Sequence, residues 1–293
     1  MKKKHRPNLS SLTYQLIRWK FILVGNLWSS LAGSWALKLW LSTRRFQEPS
    51  RETHWRETAH TFTLAHPDGP LMLYRWGEEN SDAPKVLLMH GWNGRATQMG
   101  AFIAPLLAAG YQVIAFDASA HGQTPGNSTN LLCIADAMNT VIREFSPIES
   151  VIAHSFGAVV LTHALQQKLE LGKAVCISAP AQMLDAVQAF GRGLRLPNRA
   201  KNNFFQRIDD YFGTDIWSRM SPLQNVATLS IPALVVHDKN DTTVPLVHGE
   251  NLANAWPGAD LLVTNGLGHQ RILRHPHTIE QIVSFLKKNH PTE

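Results

Sequence analysis

Val151-Ile152-Ala153-His154-Ser155-Phe156-Gly157-Ala158-Val159-Val160 is the stretch on which the fold of this chain turns. An apolar run of β type drives into a serine set between small residues, and an apolar pattern of helical type begins directly behind it. That grammar predicts a nucleophile elbow, a sharp strand-to-helix turn that lifts the Ser155 hydroxyl clear of a parallel sheet. So tight a turn leaves almost no room for side chains two positions before and two after the serine, and those positions are Ala153 and Gly157. Ala153 is one methyl larger than the glycine such turns usually carry.

Working outward, strand and helix patterns alternate. Residues 61–66 and 71–76 read as two strands around a Pro-Asp-Gly-Pro turn, a hairpin signal. Further strands are expected at 85–90, 111–116, 150–154, 174–178, 233–237 and 260–264, with helices between them and a closing amphipathic helix over 278–287. Strands alternating with helices imply a mainly parallel sheet with right-handed crossovers, and the front hairpin belongs at its edge. Residues 181–225 interrupt the rhythm. They mix Phe190, Phe204, Phe205, Tyr211, Phe212 and Trp217 with Arg and Asp, and so long an insertion is expected to be a lid or cap.

A serine hydroxyl is a poor nucleophile until an oriented base removes its proton. Partners for Ser155 are expected in loops that follow later strands. After the penultimate strand the chain reads His237-Asp238-Lys239-Asn240-Asp241-Thr242-Thr243-Val244-Pro245. Asp241, farther from the strand and close to the Val-Pro turn, is the candidate acid, while Asp238 is expected to brace the loop by accepting backbone N–H bonds. After the last strand, Asn265-Gly266-Leu267-Gly268-His269 delivers the candidate base. Acyl transfer also needs donors for a developing oxyanion. The backbone N–H of Phe156 is one candidate. The N–H of Trp92 in His90-Gly91-Trp92-Asn93-Gly94 is the other, with Gly91 letting the backbone approach a substrate and the indole of Trp92 walling an acyl pocket. His90, His121 and His154 are expected beside the site as hydrogen-bonding support.

These motifs, together with Phe116-Asp117-Ala118-Ser119-Ala120-His121-Gly122, resemble the α/β-hydrolase family from about Thr61 to Leu286. The resemblance implies the α/β-hydrolase fold, an α/β architecture with an eight-stranded, mainly parallel sheet flanked by helices. It also implies Ser155 as nucleophile, His269 as general base and acid, Asp241 as the acid that orients it, and no cofactor. Serine at the elbow sets the chain apart from the dehalogenase and epoxide-hydrolase branches, which resemble chains with aspartate there. The expected activity is hydrolysis of an acyl substrate, a carboxylic ester or thioester, through an acyl-enzyme. A hydrolase-fold protein without activity, binding a ligand or partner through its pocket or lid, is the alternative.

Composition bounds the rest. With 293 residues, 44% of them hydrophobic and 17% charged, the chain can bury a substantial core. Cys133 and Cys176 lie in apolar segments and read as free thiols, which fits a cytoplasmic setting. No spacing of His and Cys suggests a metal, and His275 and His277, flanking a proline, read as capping or surface residues. The net charge of +6 is unevenly held. Residues 1–56 carry 11 Lys and Arg against 2 Glu, and the other 237 carry 17 against 20 acids. A nucleic-acid-binding body should be basic over its folded surface, so that class is excluded.

Residues 1–56 thus form a basic N-terminal extension ahead of a hydrolase domain over 57–293. Residues 12–42 within it are strongly apolar, with 17 uncharged residues from Phe21 to Leu37. Helical projection puts Arg18, Gly25, Asn26, Ser29, Ser30, Gly33, Ser34 and Lys38 on one face and Phe21, Val24, Trp28, Leu31, Trp35 and Leu39 on the other, an amphipathic helix. Three readings stand open: a helix packed on the body or lying in a membrane interface, a single-span anchor paired through Gly25, Ser29 and Gly33, and a cleaved signal peptide.

Overall fold

The computed structural model describes residues 9–78, 82–167 and 169–288. Eight strands form one sheet: β1 (His60–Leu64), β2 (Leu71–Trp76), β3 (Lys85–Met89), β4 (Gln112–Asp117), β5 (Ile148–His154), β6 (Leu171–Ile177), β7 (Ala233–Asp238) and β8 (Asp260–Thr264). Their order is β1-β2-β4-β3-β5-β6-β7-β8. β2 is antiparallel to both of its neighbours, and every other pairing is parallel.

Burial follows from the residues. β4 and β7 are buried at every position, as expected for strands covered by helices on both faces, and both read as near-continuous apolar runs. The edge strands β1 and β8 mix exposed and partly buried positions; in β1 the partly buried ones are Phe62 and Leu64, and β8 leaves Leu261 and Val263 exposed. One face of the sheet packs Val86, Leu88, Val113, Ile152, Val175 and Val236 into a core with Met99, Phe102, Ile272 and Ile282 from flanking helices. β3 is the branch point of the chain order, with β4 on one side and β5 on the other. Ligand sites in open parallel sheets form outside the carboxyl ends of the strands at such a point.

Chain contacts divide into two compact units. The first holds the described residues of 1–42 and 184–218, and the second holds those of 43–183 and 219–293, the sheet among them. The sequence reading set the extension at 1–56 and the insertion at 181–225. Residues 43–56 fall instead with the sheet, for reasons that only long-range contacts reveal. Glu52 is buried and takes the Arg95 guanidinium at 2.7 Å, Trp76 Nε1 donates to Trp55 O at 3.0 Å, and a Cβ on Gly100 would lie 2.1 Å from the Trp55 ring. Arg45 donates to the carbonyls of Gly122, Thr124 and Gly126.

The first unit is helical. Its N-terminal part is two helices, Leu9–Leu27 and Ser29–Leu41, separated at Trp28, whose φ of −136° and ψ of 69° leave the helical region. Among the described residues no helix is long and apolar enough to cross a membrane, so the single-span reading of residues 12–42 gives way to this interrupted pair. The small residues have a partner inside the unit. A Cβ on Gly25 would lie 2.7 Å from Pro197, and one on Gly33 would lie 2.8 Å from Asn203 and 3.0 Å from the backbone of Phe204, so both glycines let the helix Asn198–Phe212 approach closely. Arg18 and Tyr14 donate to Gly193 O at 2.7 and 3.1 Å, and Trp40 meets Phe190 edge-on at 5.1 Å.

Candidate active site

β5 ends at His154, and Ser155 stands at its tip with φ 53° and ψ −120°, a conformation that side chains of L-residues rarely adopt. Its backbone N–H is held by Ile177 O at 2.8 Å, and the helix Phe156–Leu165 starts at the next residue. A Cβ on Gly157 would lie 2.5 Å from His90 O and 2.8 Å from Met89 Cγ, so the first turn of that helix can lie against the end of β3 only without a side chain there. A Cβ on Gly91 would lie 3.1 Å from Ser155 Cβ and 3.2 Å from His154 O. The loops after the adjacent strands β3 and β5 therefore meet at the serine.

The loops after β7 and β8 complete a chain of hydrogen bonds. His269 Nε2 is 3.0 Å from Ser155 Oγ, and His269 Nδ1 is 2.7 Å from Asp241 Oδ2. Asp241 Oδ1 accepts the N–H groups of Thr243 and Val244 at 2.8 and 2.9 Å. Burial opposes its charge, but the bonds from His269, Val244 and Thr243 outweigh burial and hold the carboxyl below its usual range. Asp241 is therefore an ionised, fully coordinated carboxylate facing one imidazole nitrogen, while the other nitrogen faces a hydroxyl. In that arrangement the imidazole can accept the hydroxyl proton.

Asp238 does different work. Its Oδ1 accepts the N–H groups of Asn240 and Gly268, both at 2.9 Å, and its Oδ2 accepts from Thr264 Oγ1 at 2.7 Å and Leu267 N at 3.0 Å. Burial raises its pKa, and these bonds more than reverse that, to about 2. This one carboxylate ties the end of β7 to the turn that carries His269.

Trp92 and Phe156 lie with their rings 5.2 Å apart and edge to face, and the Trp92 indole meets His121 in the same manner. Among the described residues, no backbone acceptor takes the N–H of either Trp92 or Phe156. Asn93, at φ 58°, receives the Arg44 N–H on its Oδ1 at 2.7 Å, and Gly94 N donates to Gly91 O at 2.9 Å, which fixes the loop containing Trp92.

Three buried histidines surround the serine. His154 Nε2 donates to His269 O at 3.0 Å, with the two rings 4.8 Å apart. His90 Nδ1 donates to Gly91 O at 2.7 Å, and its Nε2 accepts the Ala118 N–H at 3.1 Å. His121 Nδ1 donates to Ser119 O at 3.0 Å. Burial drives their pKa values down, to about 4 for His90 and about 3 for His121 and His154. All three are neutral at pH 7.

Two supports were not singled out from the sequence. Asp117, at the end of β4, accepts the N–H groups of Ala96 and Gln123 and the Tyr74 hydroxyl, and burial raises its pKa. A Cβ on Gly122 would lie 2.2 Å from that carboxyl, which accounts for a glycine at this position. The second is Glu52, whose Oε2 takes both Arg95 and Thr97 Oγ1 and anchors the loop after β3 from outside the sheet. No local pattern announces either pairing. Among the described residues, no group of three or more His, Cys, Asp or Glu side chains could hold a metal ion.

A family model described as the alpha/beta hydrolase family matches residues 86–282. No curated protein matches the sequence significantly. Similar solved structures include an esterase from Pyrococcus furiosus, with 20% identity, a TM-score of 0.63, and coverage of 84% of this chain and 98% of that one. Mouse alpha/beta hydrolase domain-containing protein 10 has 16% identity and a TM-score of 0.62 over 77% of this chain and 96% of its own. A bromoperoxidase from Bacillus anthracis has 16% identity and a TM-score of 0.61 over 78% of this chain and 100% of its own. At these identities the likeness is one of fold.

Proposed function

Because this chain belongs to the α/β-hydrolase family, we propose that it is a serine hydrolase cleaving a carboxylic ester or thioester through a Ser155–His269–Asp241 triad. The observation that carries the reading is the hydrogen-bonded series from Ser155 Oγ through His269 to Asp241, at 3.0 and 2.7 Å, built on a strained elbow. Ser155 Oγ attacks the acyl carbon as His269 Nε2 takes its proton. Asp241 holds the Nδ1 tautomer and stabilises the imidazolium. The oxyanion is received by the N–H groups of Trp92 and Phe156. His269 then returns the proton to the departing alcohol or thiol, leaving the acyl group on Ser155. A water deprotonated by His269 attacks the acyl-enzyme, the bond to Ser155 Oγ breaks, and His269 returns the proton to Oγ as the carboxylic acid leaves. The edge-to-face rings of Trp92 and Phe156 favour an apolar acyl group against them. The insertion between β6 and β7 is the segment assigned the part of a lid, from its place in the chain and its aromatic content.

The experiment is covalent labelling of the purified protein with a fluorophosphonate, mapped by peptide mass spectrometry and repeated on Ser155→Ala and His269→Ala. Labelling at Ser155 that disappears in both variants supports the triad. An unlabelled, folded wild type that also fails to turn over short and long acyl esters would overturn it and leave a ligand-binding protein of the same fold.

A further inference from the structure

The two N-terminal helices are turned with their large apolar side chains outward. Trp19 is 65% exposed, Leu23 63%, Leu27 61% and Trp28 61%, and Leu31 and Trp35 are exposed beyond them. Trp19, Leu23 and Leu27 recur every four residues in the helix Leu9–Leu27, as do Leu31 and Trp35 in the helix Ser29–Leu41, and Trp28 is exposed at the break between them, so each helix bears an exposed apolar stripe. The opposite face is closed: Phe21, Gly25, Ala32, Gly33 and Ala36 are buried, with Gly25 and Gly33 held close to the helix Asn198–Phe212. An amphipathic helix packed on its own protein normally does the reverse and hides its largest apolar residues. Stripes of Trp and Leu left facing water mark a surface that meets something apolar.

Charge identifies what it meets. Residues 1–47 contain nine Lys and Arg and no acid, and Lys20 and Lys38 are exposed on the same two helices. Residues 1–42 and 184–218 together hold 12 Lys and Arg against 4 Asp, a balance of +8, while the other residues hold 16 against 18, a balance of −2. The chain's positive charge is thus concentrated in the unit that bears the stripe. Nucleic acid would use the charge and leave the Trp and Leu residues in water, and an apolar protein partner would have no use for the charge. A membrane with anionic headgroups uses both, because Trp side chains settle at headgroup depth, leucines reach the acyl boundary, and lysines pair with the lipid phosphates and carboxylates. With neither helix long and apolar enough to span, the mode of contact is to lie on the surface.

We propose that the outward face of helices Leu9–Leu27 and Ser29–Leu41, through Trp19, Leu23, Leu27, Trp28, Leu31 and Trp35, docks on the surface of an anionic lipid bilayer. The proposal is independent of the hydrolase reading, since it concerns neither Ser155 nor its partners.

The test is flotation of the full chain with vesicles of phosphatidylcholine alone and of phosphatidylcholine with 30% phosphatidylserine. The protein should float with the anionic vesicles at least tenfold more strongly than with the neutral ones, and lose most of that binding in 0.5 M salt. The combined change Trp19→Ser, Leu23→Ser and Leu27→Ser should reduce binding to anionic vesicles by tenfold or more, with circular dichroism unchanged because none of the three is buried. Lys20→Glu with Lys38→Glu should weaken it severalfold by a route that leaves the apolar stripe intact. Failure of the full chain to float with anionic vesicles would overturn the proposal. So would binding that survives the triple change, equal binding to neutral vesicles, or a stripe that serves only to join two copies, seen as a vesicle-indifferent dimer made monomeric by the triple change. Esterase assays and fluorophosphonate labelling run in parallel would show that the site reading stands or falls separately.

Discussion

Replacing Asp241 by Asn should cost roughly four powers of ten in turnover while leaving the protein folded. The magnitude follows from where the oxygens of Asp241 point. Oδ1 accepts two backbone N–H groups, from Thr243 and Val244, and Oδ2 accepts from His269, with His237 Nε2 3.8 Å away. An amide at this position keeps its oxygen on the two backbone donors, because turning round would set its NH2 against both. The NH2 then faces His269 Nδ1, which must become an acceptor, and the imidazole proton moves to Nε2. An Nε2–H facing Ser155 Oγ cannot take the hydroxyl proton. Enforcing the wrong tautomer in a triad of this kind costs about 10⁴ in rate, or ~5.5 kcal/mol at 1.36 kcal/mol per tenfold. Stability should change little, because the two backbone bonds are retained. The assay is turnover of a p-nitrophenyl ester beside thermal unfolding by circular dichroism. An Asp241→Asn enzyme that unfolds like wild type and keeps activity within tenfold would refute the role given to Asp241. The same loss in Asp238→Asn with little loss in Asp241→Asn would exchange the two acids.

Ser155→Gly should abolish activity yet raise stability by about 1 kcal/mol, the net of relieving ~1–3 kcal/mol of strain and adding the glycine entropy cost of roughly 0.5–1 kcal/mol; a lower melting temperature would deny that the elbow is strained. Gly157→Ala places a Cβ 2.5 Å from His90 O, so it should destabilise by about 1–3 kcal/mol and also displace Ser155, with activity falling on the order of 10²-fold; wild-type rates and melting would contradict it. His90, His121 and His154 have folded pKa values of about 4, 3 and 3 against 6.5 when unfolded, so the unfolded chain binds protons first as the pH drops. Their contribution is complete above pH 6.5 and is lost as pH falls from there, toward about 4 for His90 and about 3 for His121 and His154. Each contributes about 1.4 kcal/mol per pH unit in that window, so the melting temperature should fall steeply between pH 6 and 4.5. A flat profile would mean the histidines are hydrated.

The sheet and the residues around Ser155 were legible because each is announced locally. Apolar runs mark β3 to β7, and the serine, aspartate and histidine stand in loops directly after strands whose positions the pattern gives. Asp238, at the strand end, spends both oxygens on backbone N–H groups and the Thr264 hydroxyl, whereas Asp241, farther along the loop, caps its own turn with one oxygen and turns the other to His269. Glu52 was invisible because its partner Arg95 lies 43 residues away, and nothing in the local pattern of either points to the other. The boundary at residue 42 was hidden for the same reason. The N-terminal helices show a further gap. Periodicity revealed that Gly25 and Gly33 lie on one face and Trp28, Leu31 and Trp35 on another, but it is silent on which face turns inward. Close approach to the helix Asn198–Phe212 favoured the small residues and left Trp28, Leu31 and Trp35 outside, while Phe21, which periodicity puts on the face with those tryptophans, is buried with Gly25.

The residue that would serve as base hangs from the outermost strand. β8 has a neighbour on one side only, its residues are half exposed, and the following turn is joined to the sheet by the bonds that Asp238 accepts from Leu267 and Gly268, with Gly266 N donating to Asn240 Oδ1 beside them. Fraying of an edge strand requires far less free energy than opening the centre of a sheet, and it can occur while everything from β2 to β7 stays intact. Under gentle heating or dilute urea the chain can therefore lose His269 from its place while its spectra still report a native protein. Functional lifetime in this molecule is then set by the hold of one buried aspartate on one peripheral turn, and a survey of stabilising changes guided by global melting alone would search the wrong part of the structure.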